Sequence, residues 1–159
     1  MLIKDLISTD FINYKYPAMY IAFPNCSFKC EVECGVQCCQ NSTLAKQKNI
    51  DISIDRILEL YEEALEGGSR ALVCAGLEPI DSFSDLLELI KAFRLKYDHD
   101  IVIYTGYIEA EISAEVEQLK QWPNIIVKFG RYNPKHSEHF DNVLGVKLAN
   151  NTQYARKIS

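Results

Sequence analysis

Cysteine is the residue type with most chemistry to offer in this chain. Five of its six cysteines fall in one stretch, CSFKCEVECGVQCCQN, at positions 26, 30, 34, 38 and 39. Thiolates are soft ligands that suit zinc and iron–sulfur clusters. The first gap is C-x3-C, and a single-turn bend brings two thiolates at that spacing onto one metal centre. Zinc ribbons use C-x2-C knuckles, and ferredoxins use C-x2-C runs ending in C-P. Neither is present, and no histidine follows at finger spacing. No two cysteines are separated by two residues, so a thioredoxin-like site is absent. Spacing alone leaves two readings equal: an iron–sulfur cluster held by some of these thiolates, or a structural zinc knot pinning a long loop. A third reading makes some of the thiols incidental. Cys74 lies in an apolar run and reads as a small core residue.

Composition narrows the setting. The chain has 159 residues and a net charge of -5, an ordinary globular balance expected to fold as a single domain over 1–159. No Lys/Arg run exceeds a pair, which argues against a nucleic-acid partner. No apolar stretch approaches the ~20 residues of a membrane span. The start, MLIKD, does not read as a signal peptide. The expectation is a cytoplasmic protein whose thiols stay reduced.

The elements that must position the cysteines follow from hydrophobic period. Apolar runs at 19–23, 71–75, 101–104 and 125–127 lack polar alternation and read as strands buried on both faces. Residues 143–146 read as a last strand. Between the runs lie helical stripes. Ile54, Ile57, Leu58, Tyr61 and Leu65 share one face, with Ser53 as cap and Gly67-Gly68 as stop. Ser82 opens a second helix carrying Phe83, Leu86, Leu87, Ile90 and Phe93. A third carries Ile112, Val116, Leu119 and Trp122, ended by Pro123. Alternating strands and helices predict an α/β fold with a parallel sheet of right-handed βα units. An open doubly wound sheet and a partial barrel remain equal on this pattern. In both, sites lie at the C-terminal strand ends. The irregular cysteine loop, about 24–50, leaves the first such end, and the turns after Ala75 and Tyr104 open on the same edge.

These residues, taken in order, resemble the radical S-adenosylmethionine superfamily. Cys26 and Cys30 match the first pair of its C-x3-C-x2-C pattern, and Cys39-Gln40-Asn41 matches the third cysteine with its trailing Asn. DFINYKYPAMYIAFPNC resembles the lead-in of the activating enzymes. CAGLEP, residues 74–79, resembles the Gly-Gly-Glu-Pro motif. IVIYTGY, residues 101–107, resembles the third-strand segment of the small activases of anaerobic ribonucleoside-triphosphate reductases. Three departures stand out. Residues Glu31 to Cys38 form an insertion that makes Cys34 a rival to Cys39 as third ligand, Leu77 is added to the glycine motif, and Tyr14-Lys15-Tyr16 stands where the lead-in has Gly-x-Gly.

The resemblance implies a partial, open TIM-like barrel and two cofactors, a [4Fe-4S] cluster and S-adenosylmethionine. Its metal ligands would be Cys26, Cys30 and Cys39, with Cys34 as the alternative third. Asn41, Gly76, Glu78, Pro79 and Thr105 would bind S-adenosylmethionine. Gly76 would let the backbone approach its amino group, and Tyr104 or Leu144-Gly145-Val146 would pack on its adenine. The activity would be reductive cleavage of S-adenosylmethionine to install a glycyl radical on a large partner, an anaerobic ribonucleotide reductase. A reduced flavodoxin or ferredoxin would supply the electron. The alternatives are a radical enzyme with a small substrate, or a zinc- or iron–sulfur-stabilised binding or electron-transfer domain. Other polar residues carry bland expectations: Lys128 and Arg131 solvated at a strand end, His136 and His139 in a solvent-facing loop. Glu59, Glu62, Glu63 and Glu66, like Glu109, Glu111, Glu115 and Glu117, read as wet helix faces.

Overall fold

The apolar runs become the centre of one sheet because each is buried on both faces and so leaves its backbone groups no partner but a neighbouring strand. The computed structural model describes all of residues 1–159. In chain order the elements are β1 (Leu2–Ile3), β2 (Asp5–Asp10), β3 (Ala18–Phe23), α1 (Lys29–Cys34), α2 (Ser42–Ala45), β4 (Ile50–Asp51), α3 (Ile54–Glu66), β5 (Ala71–Gly76), α4 (Phe83–Arg94), β6 (Asp100–Tyr104), α5 (Ser113–Leu119), β7 (Ile125–Phe129), β8 (His139–Asp141), β9 (Val146–Leu148) and β10 (Tyr154–Lys157). The main sheet runs β10-β7-β6-β5-β3-β2. Its four inner strands are parallel, and β2 and β10 join antiparallel at the edges. The fold is thus mixed α/β, with an open sheet that does not close into a barrel.

The two faces of the sheet are covered differently. Ile21, Leu72, Ile103 and Val127 lie in a large core that includes Leu58 and Tyr61 of α3, Leu86 and Ile90 of α4, and Val116 of α5. The opposite face carries smaller side chains, Ala18, Ala71, Val73 and Ala75, and is covered by Tyr14 and by Leu144 and Leu148 near the β8–β9 hairpin. Small residues on that face leave space, and the space opens at the C-terminal strand ends.

Local chemistry sets the boundaries. Ser53 caps α3, its side chain accepting the Arg56 N–H at 3.2 Å, and Gly67 follows the last turn. Ser82 precedes α4 but does not cap it; its hydroxyl accepts from Asn25 Nδ2 at 3.0 Å instead. Residues 143–145 are not strand but the turn between β8 and β9. The buried Asp141 carboxylate draws that turn in, since one oxygen accepts the N–H groups of both Val143 and Leu144 at 2.9 Å. Its other oxygen accepts from Ala155 at 2.9 Å, which ties the hairpin to β10. No helix is long and apolar enough to cross a membrane.

Candidate functional site

A cavity of about 330 Å³ opens at the C-terminal ends of the parallel strands. Cys26, Cys30 and Cys39 all line it, together with Asn41, Gly76, Glu78 and Thr105. Cys34, Cys38 and Pro79 are not among its lining residues. The structure thus divides the cysteine group. Three thiols from one loop face one space, and two lie outside it. Cys74 is fully buried in β5, in the helix-covered core.

Each wall is held by identifiable contacts. After β3, the Asn25 carbonyl accepts the Glu78 N–H at 2.7 Å. The Ser27 N–H reaches Asp81 Oδ2 at 2.6 Å, and Tyr107 donates its hydroxyl to Asp81 Oδ1 at 2.6 Å. The Phe28 N–H points at Cys26 Sγ, 3.2 Å away, in the orientation that steadies a thiolate. Helix α1 then carries Cys30 inward, and Arg131 anchors it. Arg131 sits 3.1 Å from Glu33 of α1 and 2.5 Å from Glu111, with its side chain only 12% exposed. Glu31 accepts the Cys39 N–H at 3.2 Å, and Asn41 donates to the Gly76 carbonyl. The first, second and third thiols are therefore each tied to the sheet edge.

Gly76 has φ +85°, and a Cβ there would meet Ala22 Cα at 2.6 Å and Phe23 N at 2.9 Å. Its missing side chain faces the neighbouring strand rather than the cavity. The glycine is required by β3 packing and by the left-handed turn, not by approach to a ligand. Gly106 differs: a Cβ there would stand 3.5 Å from Cys30 Sγ and 3.4 Å from Glu78 Oε2, so the second thiol lies against the turn after β6.

Glu78 joins two strand ends. Its carboxylate accepts the Ile80 N–H at 3.1 Å and the Gly106 N–H at 2.7 Å. Burial pushes its pKa up to about 7, despite these donors and the Thr105 hydroxyl. Here desolvation of the charge outweighs hydrogen bonding. Burial likewise raises the Cys26 thiol to about 12 and raises Cys39. Metal binding there must displace protons.

Lys128 corrects the expectation of a solvated side chain. It is 7% exposed and lines the cavity. Burial brings its pKa down to about 8, while Glu78 and Cys30 oppose the fall. Its ammonium has one protein acceptor, the Gly130 carbonyl at 2.8 Å, which leaves two N–H donors free. The signal for it was a lysine inside IIVKF, an apolar strand otherwise buried on both faces. Glu111 and Glu109 are also corrected: they are not merely wet, since they pair with Arg131 and Arg156 respectively. His139 Nδ1 is buried without a hydrogen-bond partner, away from the cavity lining. Asn13, Tyr132 and Gln153 line the cavity unannounced by any spacing.

A cluster fits this donor set. Three thiols and no fourth line the cavity, beside a cationic side chain that offsets thiolate charge. No three His, Cys, Asp or Glu side chains stand close enough to share a single metal ion. Among known proteins, the family model described as 4Fe-4S single cluster domain matches residues 19–152. That span runs from the strand before the first cysteine to the residues just before β10. No curated protein matches the chain.

Proposed function

The chain belongs to the 4Fe-4S single cluster domain family, and from that premise we propose that it is a radical S-adenosylmethionine enzyme. Its product would be a glycyl radical on a large partner enzyme of the anaerobic ribonucleotide reductase type. The observation that carries this reading is the meeting of Cys26, Cys30 and Cys39 with Glu78 and Thr105 in one cavity. Three thiolates would leave one iron of a four-iron cluster without a protein ligand. When bound, cluster and S-adenosylmethionine together supply one-electron cleavage of a sulfonium carbon–sulfur bond and a hydrogen-abstracting radical.

The chain's own residues bind, orient and shield. Cys26, Cys30 and Cys39 would hold the cluster. Asn41 fixes the cluster loop to the end of β5 by its bond to the Gly76 carbonyl. Glu78 locks the turns after β5 and β6 together, leaving the Thr105–Gly106 turn pressed against the second thiol. Lys128 offers its two free N–H donors to a carboxylate in the cavity. Tyr104, whose hydroxyl is held by the Asn13 carbonyl, supplies a ring on the small-residue face.

The test is anaerobic reconstitution with iron and sulfide, then reduction with dithionite in the presence of S-adenosylmethionine. The expected products are 5′-deoxyadenosine and methionine. A cluster-loaded chain that yields neither leaves an electron-transfer or structural cluster domain. A chain that takes up zinc and no iron removes the reading altogether. A glycyl radical signal on mixing with a candidate reductase tests the partner.

A further inference from the structure

Cys34 and Cys38 are the thiols that the cluster reading leaves unused. Neither lines the cavity. They face each other instead, with Sγ atoms 2.7 Å apart and either one placed to donate to the other. A disulfide bond is about 2.05 Å long, so little movement separates the two states. The backbone makes the approach. Helix α1 ends at Cys34, and Gly35 follows at φ +71°, reversing the chain. Cys34 Sγ also donates to the Val36 carbonyl at 3.3 Å, and the segment closes on itself. Gly35, Val36 and Gln37 between the two thiols are exposed, and Val36 is 55% exposed. Cys34 and Cys38 are themselves half-buried beside this exposed turn.

We propose that Cys34 and Cys38 form a redox-active dithiol, separate from the cluster ligands, that low-molecular-weight disulfides such as oxidised glutathione convert to an intramolecular disulfide. One thiolate of the pair attacks a sulfur of the small disulfide and displaces a first thiolate. The second cysteine then attacks the mixed disulfide, closing the Cys34–Cys38 bond and displacing a second thiolate. The protein pair loses two electrons and two protons. The small disulfide gains both and leaves as two thiols. Cys38 abuts Cys39, so the bridge restrains the chain just ahead of the third cavity thiol. The inference rests on Cys39, rather than Cys34, completing the cluster.

The experiment exposes the anaerobically reconstituted protein to oxidised glutathione. Free thiols are then blocked with N-ethylmaleimide under acid quench, and peptides are mapped by mass spectrometry while cluster absorbance is followed. The expected result is a Cys34–Cys38 bridge with iron retained, and a glutathione adduct on the remaining thiol in Cys34→Ser and in Cys38→Ser. Bridging that releases iron in step, a bridge to Cys30 or Cys39, or no bridge at all overturns the proposal. If the chain takes up no iron, the cluster reading fails separately, and the bridge is still mapped on the same chain.

Discussion

The two walls of the cavity are built by different means. One is the sheet edge, where every residue of β5 from Ala71 to Gly76 is buried and parallel backbone pairing on both sides fixes position. The other is the cysteine segment, whose helices α1 and α2 contain no buried residue and which is held by side-chain ties. The contrast separates two roles. A wall locked by packing places fixed groups such as Glu78 and Thr105. A wall held by single hydrogen bonds and ion pairs supplies ligands that can adjust around an incoming metal, whose binding energy then orders them.

Glycine substitutions separate the two walls most directly, because each wall has a left-handed glycine. Gly76→Ala forces a Cβ onto Ala22 and imposes left-handed strain. It is expected to cost about 2–5 kcal/mol, the sum of roughly 1–2 for backbone strain and roughly 1–3 for overpacking. Urea unfolding of the cluster-free chain measures it. Gly35→Ala has the same backbone strain but meets nothing within 4 Å, and its cost belongs at the small end of this series. Equal costs at the two sites would erase the distinction between the walls.

Next in size is the pH response of the packed wall. The folded chain holds the Glu78 proton up to about pH 7, against an ordinary value of 4.5. Between those values the folded state binds more protons than the unfolded one, so stability falls as pH rises through that window. The loss is on the order of 3 kcal/mol. Lys128 acts oppositely higher up: its folded pKa of about 8 lies below 10.5, so stability recovers as pH rises between the two. Glu78→Gln should flatten the fall between about pH 4.5 and 7 in the cluster-free chain, as read from urea midpoints. An unchanged slope contradicts the burial argument.

Arg131→Ala loosens the other wall. Losing the ties to Glu33 and Glu111 should cost about 1 kcal/mol of global stability, comparable to Gly35→Ala. Limited proteolysis should show faster cleavage within residues 29–40 with the sheet intact. Cleavage spread evenly along the chain would mean that Arg131 supports the whole fold rather than the loop.

The packed wall was also the legible one. Strands buried on both faces and helices with an apolar stripe leave a periodic record, and β3, β5, β6, β7, α3 and α4 appear where that record places them, while α5 is shorter than its apolar stripe and leaves Ile112 and Trp122 outside. The edges escaped because their residues are mixed. In β2, DLISTD, one residue of six is buried, and in β10, YARK, one of four. The 143–146 run looked like strand because its apolar residues mask a turn made by a carboxylate two to three residues earlier. The site was readable as cysteine spacing and as strand ends. The Arg131 tie was not, and Lys128 was marked only by its place in an apolar strand, because burial of a charge depends on what distant segments bring over it.

The proposed function stands on Cys26, Cys30 and Cys39 together holding a cluster that would keep one iron open to a small ligand. Electron paramagnetic resonance of the reduced, reconstituted protein with and without S-adenosylmethionine tests it most directly, run beside the single Cys→Ala variants. The expected result is a spectrum that changes on addition, a signal lost in Cys26→Ala, Cys30→Ala and Cys39→Ala, and one kept in Cys34→Ala and Cys38→Ala. A spectrum indifferent to S-adenosylmethionine, or a cluster that survives Cys39→Ala and dies with Cys34→Ala, would contradict it.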